Sequence, residues 1–289
     1  MSTPKLSIFI INYKVRELLR ENLRALHADS FFNELEIIVV DNGSNDGVGK
    51  MIREEFPGTI LILNDYNSGS SHAVNQALRV ATGEVLLWLN PDMKVHPGCL
   101  QKTHDTLIAD KTIGLFGAKL IDASGKPIGS VRRDPSFLDQ LAIVLKLPHL
   151  FPHLFNRYLY KEFDYEISQE VPQIRGSYFA FRLDVMEQVG GFDESFFIWF
   201  EEVDYCRRVR QVGYRIYYCA EALCEDLVGQ SFRQVCVRKK QRLLMRSLVT
   251  YFDKWHPWWQ ARILWCFTPF AIGAGIIIDF FSWLRKKFV

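Results

Sequence analysis

Glu84-Val85-Leu86-Leu87-Trp88-Leu89-Asn90-Pro91-Asp92 is the stretch that sets the fold class. Its apolar run is bounded by Gly83 and Pro91 and suits a strand covered on both faces, the kind found in a parallel sheet. The run stops in a proline-held turn that carries the carboxylate of Asp92. Open α/β sheets bind ligands just beyond the carboxyl ends of their strands, which puts Asp92 where a ligand lies. A carboxylate on a rigid turn there suits a divalent cation, which in turn holds a diphosphate. Asn-Pro-Asp is also ordinary turn chemistry, so a turn-capping Asp92 is the competing reading.

Outward from this strand the same alternation repeats. Leu6 to Tyr13 is an apolar strand with a polar end, and Val15 to Leu26 has apolar positions at helical spacing, together a βα unit. Glu36 to Asp41 is a second buried strand, opening into the turn-rich Asp41-Asn42-Gly43-Ser44-Asn45-Asp46-Gly47. Thr59 to Leu63 is a third, followed by Asn67-Ser68-Gly69 and a helix from Ser71 to Ala81. Strands alternating with helices over the first hundred residues predict a doubly wound, mostly parallel α/β sheet. Asp41 and Asp92 then both follow strands, Asp41 placed for a base or ribose and Asp92 for a diphosphate; a loop cap is the other reading of Asp41. No Gly-x-Gly-x-x-Gly follows the first strand and no Walker loop occurs, which argues against both common glycine-rich phosphate cradles.

The chain has 289 residues, 48% of them hydrophobic, enough for a large α/β domain with an appendage. Its formal charge of +2 is unevenly spread: ten Lys/Arg against two acids in residues 238–289 give +8, leaving −6 for residues 1–237. The acidic body does not suit a nucleic-acid partner, so none is expected, and the basic tail suits an anionic surface such as a membrane. The six cysteines form no CxxC pair and read as reduced thiols. Met1 to Lys5 lacks the regions of a signal peptide, so the body is expected inside the cell.

Four stretches in order carry a family resemblance: Ser7 to Tyr13, the Val39 to Gly47 loop, Asn67-Ser68-Gly69 with Asn75, and Leu89-Asn90-Pro91-Asp92. They resemble the inverting nucleotide-sugar glycosyltransferases of the family 2 type, especially the rhamnosyltransferase-like branch of bacterial polysaccharide biosynthesis, over Leu6 to about Ser231. The resemblance implies a GT-A fold with Asn12, Tyr13, Asp41, Asn67, Gly69, Asn75, Asn90 and Asp92 at the donor. Asp92 is then the metal-binding acid of a degenerate Asp-x-Asp motif, Asn90 standing for the first Asp, with Mg²⁺ or Mn²⁺ as cofactor. Residues 1–120 are the implied nucleotide-sugar half and 121–235 the acceptor half.

In the second half, Ile113 to Leu120 and Tyr214 to Tyr218 read as strands, Arg132-Arg133 as a basic pair that either meets an anionic ligand or is simply solvated, and residues 135–170 as an irregular insertion with short helices. Gly176-Ser177-Tyr178-Phe179-Ala180-Phe181-Arg182 and Gly190-Gly191-Phe192-Asp193-Glu194, followed by Trp199-Phe200-Glu201-Glu202-Val203-Asp204, are similar to the family's acceptor block. The resemblance implies that Glu202 is the general base, where the family usually has Asp, with Glu201 and Asp204 in the catalytic group and Arg132, Gly176 and Trp199 toward the acceptor. Three acids in the first turn of a helix favour the ionised form through the helix dipole and oppose it through mutual repulsion, and an acidic first turn is also common helix chemistry. On that helix Glu201 and Asp204 share a face, and Glu202 points about 100° away. The family's His-x-x-Gly-x-Ser is matched by Asp226 to Ser231, with Asp226, a possible second metal ligand, in place of the His.

Residues 236–289 are expected to form a membrane-associated helical tail. Arg238 to Arg246 is a basic helix suited to an anionic bilayer. Ile263 to Leu284 is apolar, with tryptophans at both ends and Arg285-Lys286-Lys287 beyond. Pro269, Gly273, Gly275 and Asp279 weaken a plain spanning helix, so a re-entrant or in-plane hairpin stands beside a single span. The expected activity is metal-assisted single displacement from a dTDP-, UDP- or GDP-sugar, rhamnose among the candidates, to a lipid-linked or cell-surface glycan. The expected place is the cytoplasmic face of a bacterial inner membrane, and a homo-oligomer is compatible with the sequence. A nucleotide-binding scaffold without turnover and a metal-dependent nucleotidyltransferase are the rivals.

Overall fold

The computed structural model describes residues 3–150, 157–227 and 235–273, with 275, 276, 278 and 279 beyond them. Pro152 and His153 of the insertion, Val228 to Ser231 of the Asp226 segment, and Trp283 and Arg285 to Lys287 of the tail lie outside the described residues. The strands are β1 (Leu6–Asn12), β2 (Leu35–Asn42), β3 (Ile60–Asn64), β4 (Val85–Leu89), β5 (Met93–Val95), β6 (Ile113–Ile121), β7 (Val131–Arg132), β8 (Gln169–Glu170), β9 (Gln173–Ile174), β10 (Tyr178–Arg182) and β11 (Arg215–Asp226). The helices are α1 (Arg16–His27), α2 (Val48–Glu55), α3 (Ser70–Leu78), α4 (Cys99–Ala109), α5 (Phe137–Val144), α6 (Leu147–Leu150), α7 (Leu183–Val189), α8 (Glu201–Gln211), α9 (Val237–Trp255) and α10 (Trp258–Cys266).

β3, β2, β1 and β4 lie side by side and parallel, as strand-helix alternation requires. Every residue of β4 is buried, consistent with its unbroken apolar run. The order continues β10, β6, β11, β5, with β10 antiparallel to both β4 and β6. The sheet is therefore mostly parallel with an antiparallel strand at its centre, and the alternation that marks β1 to β4 does not mark β10. Successive side chains point to opposite faces: Ile8, Ile10, Leu87 and Leu89 enter the core under α1 and α4, while Phe9, Leu86 and Trp88 enter the one under α3, α7 and α8.

β11 outruns the Tyr214 to Tyr218 strand read from sequence. A register shift between Cys219 and Leu223 interrupts its pairing with β6, after which Leu223, Cys224 and Glu225 pair with Lys119, Leu120 and Ile121. That extension lets its end pair with the three-residue β5, Asp226 opposite Met93. A bulge thus delivers Asp226 to the end of β4.

The C-terminal helices share a third core with the body: Phe196, Phe200 and Val203 pack with Met245, Leu248, Tyr251 and Phe252 of α9 and with Ala261 and Leu264 of α10. Residues 268–273 are again helical. Asp279, an acid in an otherwise apolar run, accepts the N–H groups of Val237 (2.8 Å) and Arg238 (3.0 Å) at the start of α9. It satisfies two donors that the helix cannot satisfy itself, and the chain lies back along α9. No helix among the described residues is long and apolar enough to cross a membrane.

α8 lies close on β6 because Gly114 has no side chain: a Cβ there would stand 2.5 Å from Tyr214 Cβ and 2.7 Å from Val209 Cγ1. Gly114→Ala is expected to destabilise the protein by about 1–3 kcal/mol through overpacking, read as a lower urea midpoint with an unchanged slope.

Candidate active site

At the carboxyl ends of β1 and β2, Asn12 and Asp41 are register partners. Asn12 Nδ2 donates to Asp41 Oδ1 (3.0 Å) and Ser44 Oγ (3.1 Å), and the Ser44 N–H donates to Asp41 Oδ2 (3.3 Å). The Lys14 N–H donates to Ser44 Oγ (2.9 Å). Asp41 is thereby buried and fixed in orientation at the sheet edge, with Tyr13 partly exposed beside it. Asn42, absent from the sequence-derived set, organises the next loop. Its Oδ1 accepts from the Ser68 N–H and the Asn64 side chain, and its Nδ2 donates to Asn67 Oδ1 and the Gly69 carbonyl. Its position inside the turn-rich loop was the available signal.

Gly69 sits at φ +92°, and a Cβ would lie 2.8 Å from the Phe197 carbonyl. Only glycine combines that backbone with that approach. Asn75, expected at the donor, has its amide taken up by the loop leading to α8. It donates to the Phe192 carbonyl and Glu194 Oε1 and accepts the Phe192 N–H, each at 2.8 Å. The two halves of the sheet are therefore clamped together at this point.

Asn90 and Asp92 stand in the turn after β4. The Asn90 N–H donates to the Ser177 carbonyl (3.0 Å), and Asn22 of α1 donates to the carbonyls of Asn90 (3.1 Å) and Met93 (2.8 Å). Asp226, opposite Met93, and Asp92 are both buried, and the Leu227 N–H donates to the Asp92 carbonyl (3.1 Å). Arg175 Nη1 lies 3.4 Å from Asp226 Oδ2. Two carboxylates brought to one sheet edge by strand pairing are hard oxygen donors of the kind Mg²⁺ and Mn²⁺ take, and such ions commonly use one or two protein carboxylates with substrate phosphates. No cluster of three or more potential ligands occurs among the described residues.

Glu201, Glu202 and Asp204 occupy the first turn of α8. Glu201 and Asp204 point inward as their spacing predicts, Asp204 with no exposed surface. Asp204 Oδ1 accepts Trp255 Nε1–H (2.7 Å) and pairs with Lys254 Nζ (2.8 Å), and Oδ2 accepts Arg208 Nε–H (2.8 Å). Grouped with the catalytic acids by sequence, Asp204 is an internal anchor here, because burial and three cationic or N–H partners close it off. Trp199 and Phe200 enter the helix at φ 62° and 67°, two successive non-glycine residues in the left-handed region. This conformation costs of order 1–3 kcal/mol each and persists only where packing over-determines it. Packing comes from Phe200 against Tyr251 (5.4 Å between ring centres) and from Ser247 Oγ donating to the Ile198 carbonyl (2.6 Å).

Glu202 sits against the Gly176 segment: a Cβ on Gly176 would lie 3.2 Å from Trp88 Cζ3 and 3.5 Å from Glu202 Cβ. Its Oε2 is buried and has no hydrogen-bond partner among the described residues. Burial raises the affinity of Glu202 for a proton, opposed by backbone N–H groups and by the charges of Arg175 and Arg132. Arg132 also stands 5.8 Å from the Tyr158 ring centre. Glu201 is pushed up well beyond the usual carboxylate range by burial and then by the charge of Glu202. The helix dipole, invoked from sequence to favour ionisation, loses to desolvation at both positions. Arg175 was missed by the sequence reading; it immediately precedes the Gly176 block, and only the fold reveals that it faces two carboxylates.

Residues 7–190 match the family model described as Glycosyl transferase family 2. The N-acetylglucosaminyl-diphospho-decaprenol L-rhamnosyltransferase of Mycobacterium tuberculosis is 25% identical over 247 residues, 80% of this chain and 79% of that protein. The low-salt glycan biosynthesis hexosyltransferase Agl10 of Haloferax volcanii is 23% identical over 217 residues, 74% of this chain and 64% of that protein. Among solved structures, the mannosyltransferase PcManGT of Pyrobaculum calidifontis, in complex with GDP-Man and Mn²⁺, is similar with a TM-score of 0.58 over 96% of this chain and 74% of that one, at 20% identity. GalNAc-T7 with UDP, GalNAc and Mn²⁺ gives 0.64 over 93% and 55%, at 14% identity. The fold is thus of the GT-A type.

A buried carboxyl whose proton affinity is raised by folding contributes stability while it stays protonated and loses it as pH rises through the folded-state value. Glu201→Gln has no proton to lose. The stability of this variant relative to the wild type is therefore expected to grow from pH 5 to pH 8 in urea titrations; a constant or shrinking difference would mean that Glu201 does not carry this burden.

Proposed function

Since the chain belongs to glycosyl transferase family 2, we propose that it is an inverting transferase moving a sugar from a nucleotide-diphosphate donor to a hydroxyl of a lipid-linked glycan. The observation that carries this reading is the buried Oε2 of Glu202, without a hydrogen-bond partner among the described residues, made more basic by desolvation, with the charges of Arg175 and Arg132 acting on it beside the Gly176 segment. Likeness to the mycobacterial rhamnosyltransferase makes rhamnose the first sugar to test and a lipid diphosphate the first acceptor.

Glu202 takes the proton of the acceptor hydroxyl. That oxygen attacks the anomeric carbon from the face opposite the nucleotide, the bond to the diphosphate breaks, and the configuration inverts. Asn12, Asp41, Asn67 and Gly69 would line the donor side of the site, with Tyr13 beside them. Asp92, with Asp226 as a second oxygen donor, would hold Mg²⁺ or Mn²⁺, which when bound neutralises charge on the departing diphosphate. Arg175, beside Asp226, adds a fixed positive charge to the same region. Gly176 lets its segment pack closely against Trp88 and Glu202, and the acceptor would approach Glu202 on the side of Arg132.

Release of nucleoside diphosphate from dTDP-, UDP- and GDP-sugars, with membrane lipid extract as acceptor, tests this. Glu202→Gln is expected to lose about 10²–10⁴-fold in turnover, the usual range for a general base, while binding donor normally; Asp92→Ala is expected to lose the metal-dependent part. Donor binding with no turnover under any condition would instead support the non-catalytic scaffold.

In the active protein kcat/KM should fall as pH drops and Glu202 gains its proton. Arg175→Met removes a charge that favours the carboxylate, so the acid limb should move to higher pH. An unmoved limb would show that the titrating group is elsewhere.

A further inference from the structure

We infer that the outward face of the C-terminal helices docks on an anionic lipid bilayer through two parallel rows, one aromatic and one of arginines. The inference rests on the reading of a lipid-linked acceptor and specifies the surface that meets the lipid. Along α10 and the helical residues after it, Ala261, Leu264 and Ala271 are buried against the body. The large side chains face the other way: Trp258 is 73% exposed, Trp265 62%, Phe270 50% and Ile276 49%, with exposed Arg262 among them. A helix packed for its own burial turns its large apolar groups inward. This one turns two alanines and Leu264 inward and leaves Trp258, Trp265 and Phe270 outward.

The second row lies on α9. Arg238, Arg242 and Arg246 are exposed and four residues apart, so they share one helix face. The Asp279 cap fixes the alignment of the two rows, since it holds the start of α9 against the end of the returning segment. Gly275 lies so close there that an added Cβ would stand 3.0 Å from Arg238 Cα. Tryptophan beside basic side chains is the composition of a membrane-water interface.

Charge decides among occupants. A second copy would bring this strongly basic segment against its own like, which is unfavourable, whereas anionic headgroups complement it. The helix that carries the aromatic row is also tied to the side of the candidate base. Phe137 of α5 packs on Trp259, with ring centres 5.2 Å apart, and α5 begins shortly after Arg132, whose charge acts on Glu202. Docking would orient that side of the site relative to the lipid.

Flotation of the full chain with vesicles of phosphatidylcholine, alone or with phosphatidylglycerol, tests the proposal. Binding is expected to need phosphatidylglycerol and to weaken with salt. Replacing Arg238, Arg242 and Arg246 together by Gln should weaken it on the order of 100-fold at low salt, given about fivefold per basic residue near an anionic surface. The pair Trp258→Ala with Trp265→Ala should weaken it at least about tenfold and leave its salt dependence in place. Calorimetric binding of the nucleotide sugar should be unchanged in both variants, which separates loss of docking from failure of the glycosyltransferase reading. Wild-type indifference to phosphatidylglycerol, or variants that float as the wild type does, would overturn the proposal. So would a dimer that the tryptophan variant dissociates.

Discussion

The carboxylate of Asp204 is the fixed point on which the rest of the candidate site depends. It is wholly buried one turn into α8, and its three partners come from two helices: Trp255 and Lys254 at the end of α9, and Arg208 within α8. Lys254 also pairs with Asp193 (2.6 Å), and Arg208 donates to the carbonyls of Val189 and Gly191. One charge thus ties the helix bearing Glu202 to the loop before it and to the C-terminal helices. Removing one partner of such a pair leaves an uncompensated buried charge, which costs far more than the pair itself contributes. Asp193 carries a second part of this tie: burial pulls its proton affinity up, but hydrogen bonds from Lys254 and Ser195 hold it down at about 2.

This anchoring explains how the chain sustains a buried Glu201 next to a Glu202 whose Oε2 is buried. Neither Glu201 nor Glu202 is in an environment that favours its charge, and the turn leading to them has two residues in the left-handed region. Strain and desolvation are concentrated at one helix start, and the third core of α9 and α10 side chains against Phe196, Phe200 and Val203 holds it in place. The clamp from Asn75 fixes the same loop from the donor half. A base that is desolvated yet open to an incoming hydroxyl requires such support, since a mobile carboxylate would turn to solvent.

Where a side chain follows a buried strand in a βα unit, its place was legible in the sequence. Asp41 and Asp92 were found in that way, because strand-helix alternation dictates which strand ends share an edge. The position of Glu202 came from its flanking Gly190-Gly191-Phe192-Asp193-Glu194 loop and not from charge pattern alone. Side chains gathered by non-local pairing were not legible. Arg175 faces Asp226 only because β11 passes its bulge to reach β5, and Asn42 reads as one more turn residue until its bonds to Asn64, Ser68 and Gly69 are drawn. Asp279 looked like a defect in an apolar segment, and its use as a cap depends on a partner more than forty positions earlier. The competition between burial and dipole at α8 likewise needed the depth of each carboxylate, which periodicity does not supply.

The central claim is that Glu202 deprotonates an acceptor for a single displacement. Its most direct test is the anomeric configuration of the transferred sugar, measured by NMR in the donor and again in the product. A single displacement predicts inversion with every accepted donor. Retention of configuration would contradict the account, since it demands either a covalent glycosyl intermediate or attack from the leaving-group face, and neither assigns Glu202 the role of base argued from its burial.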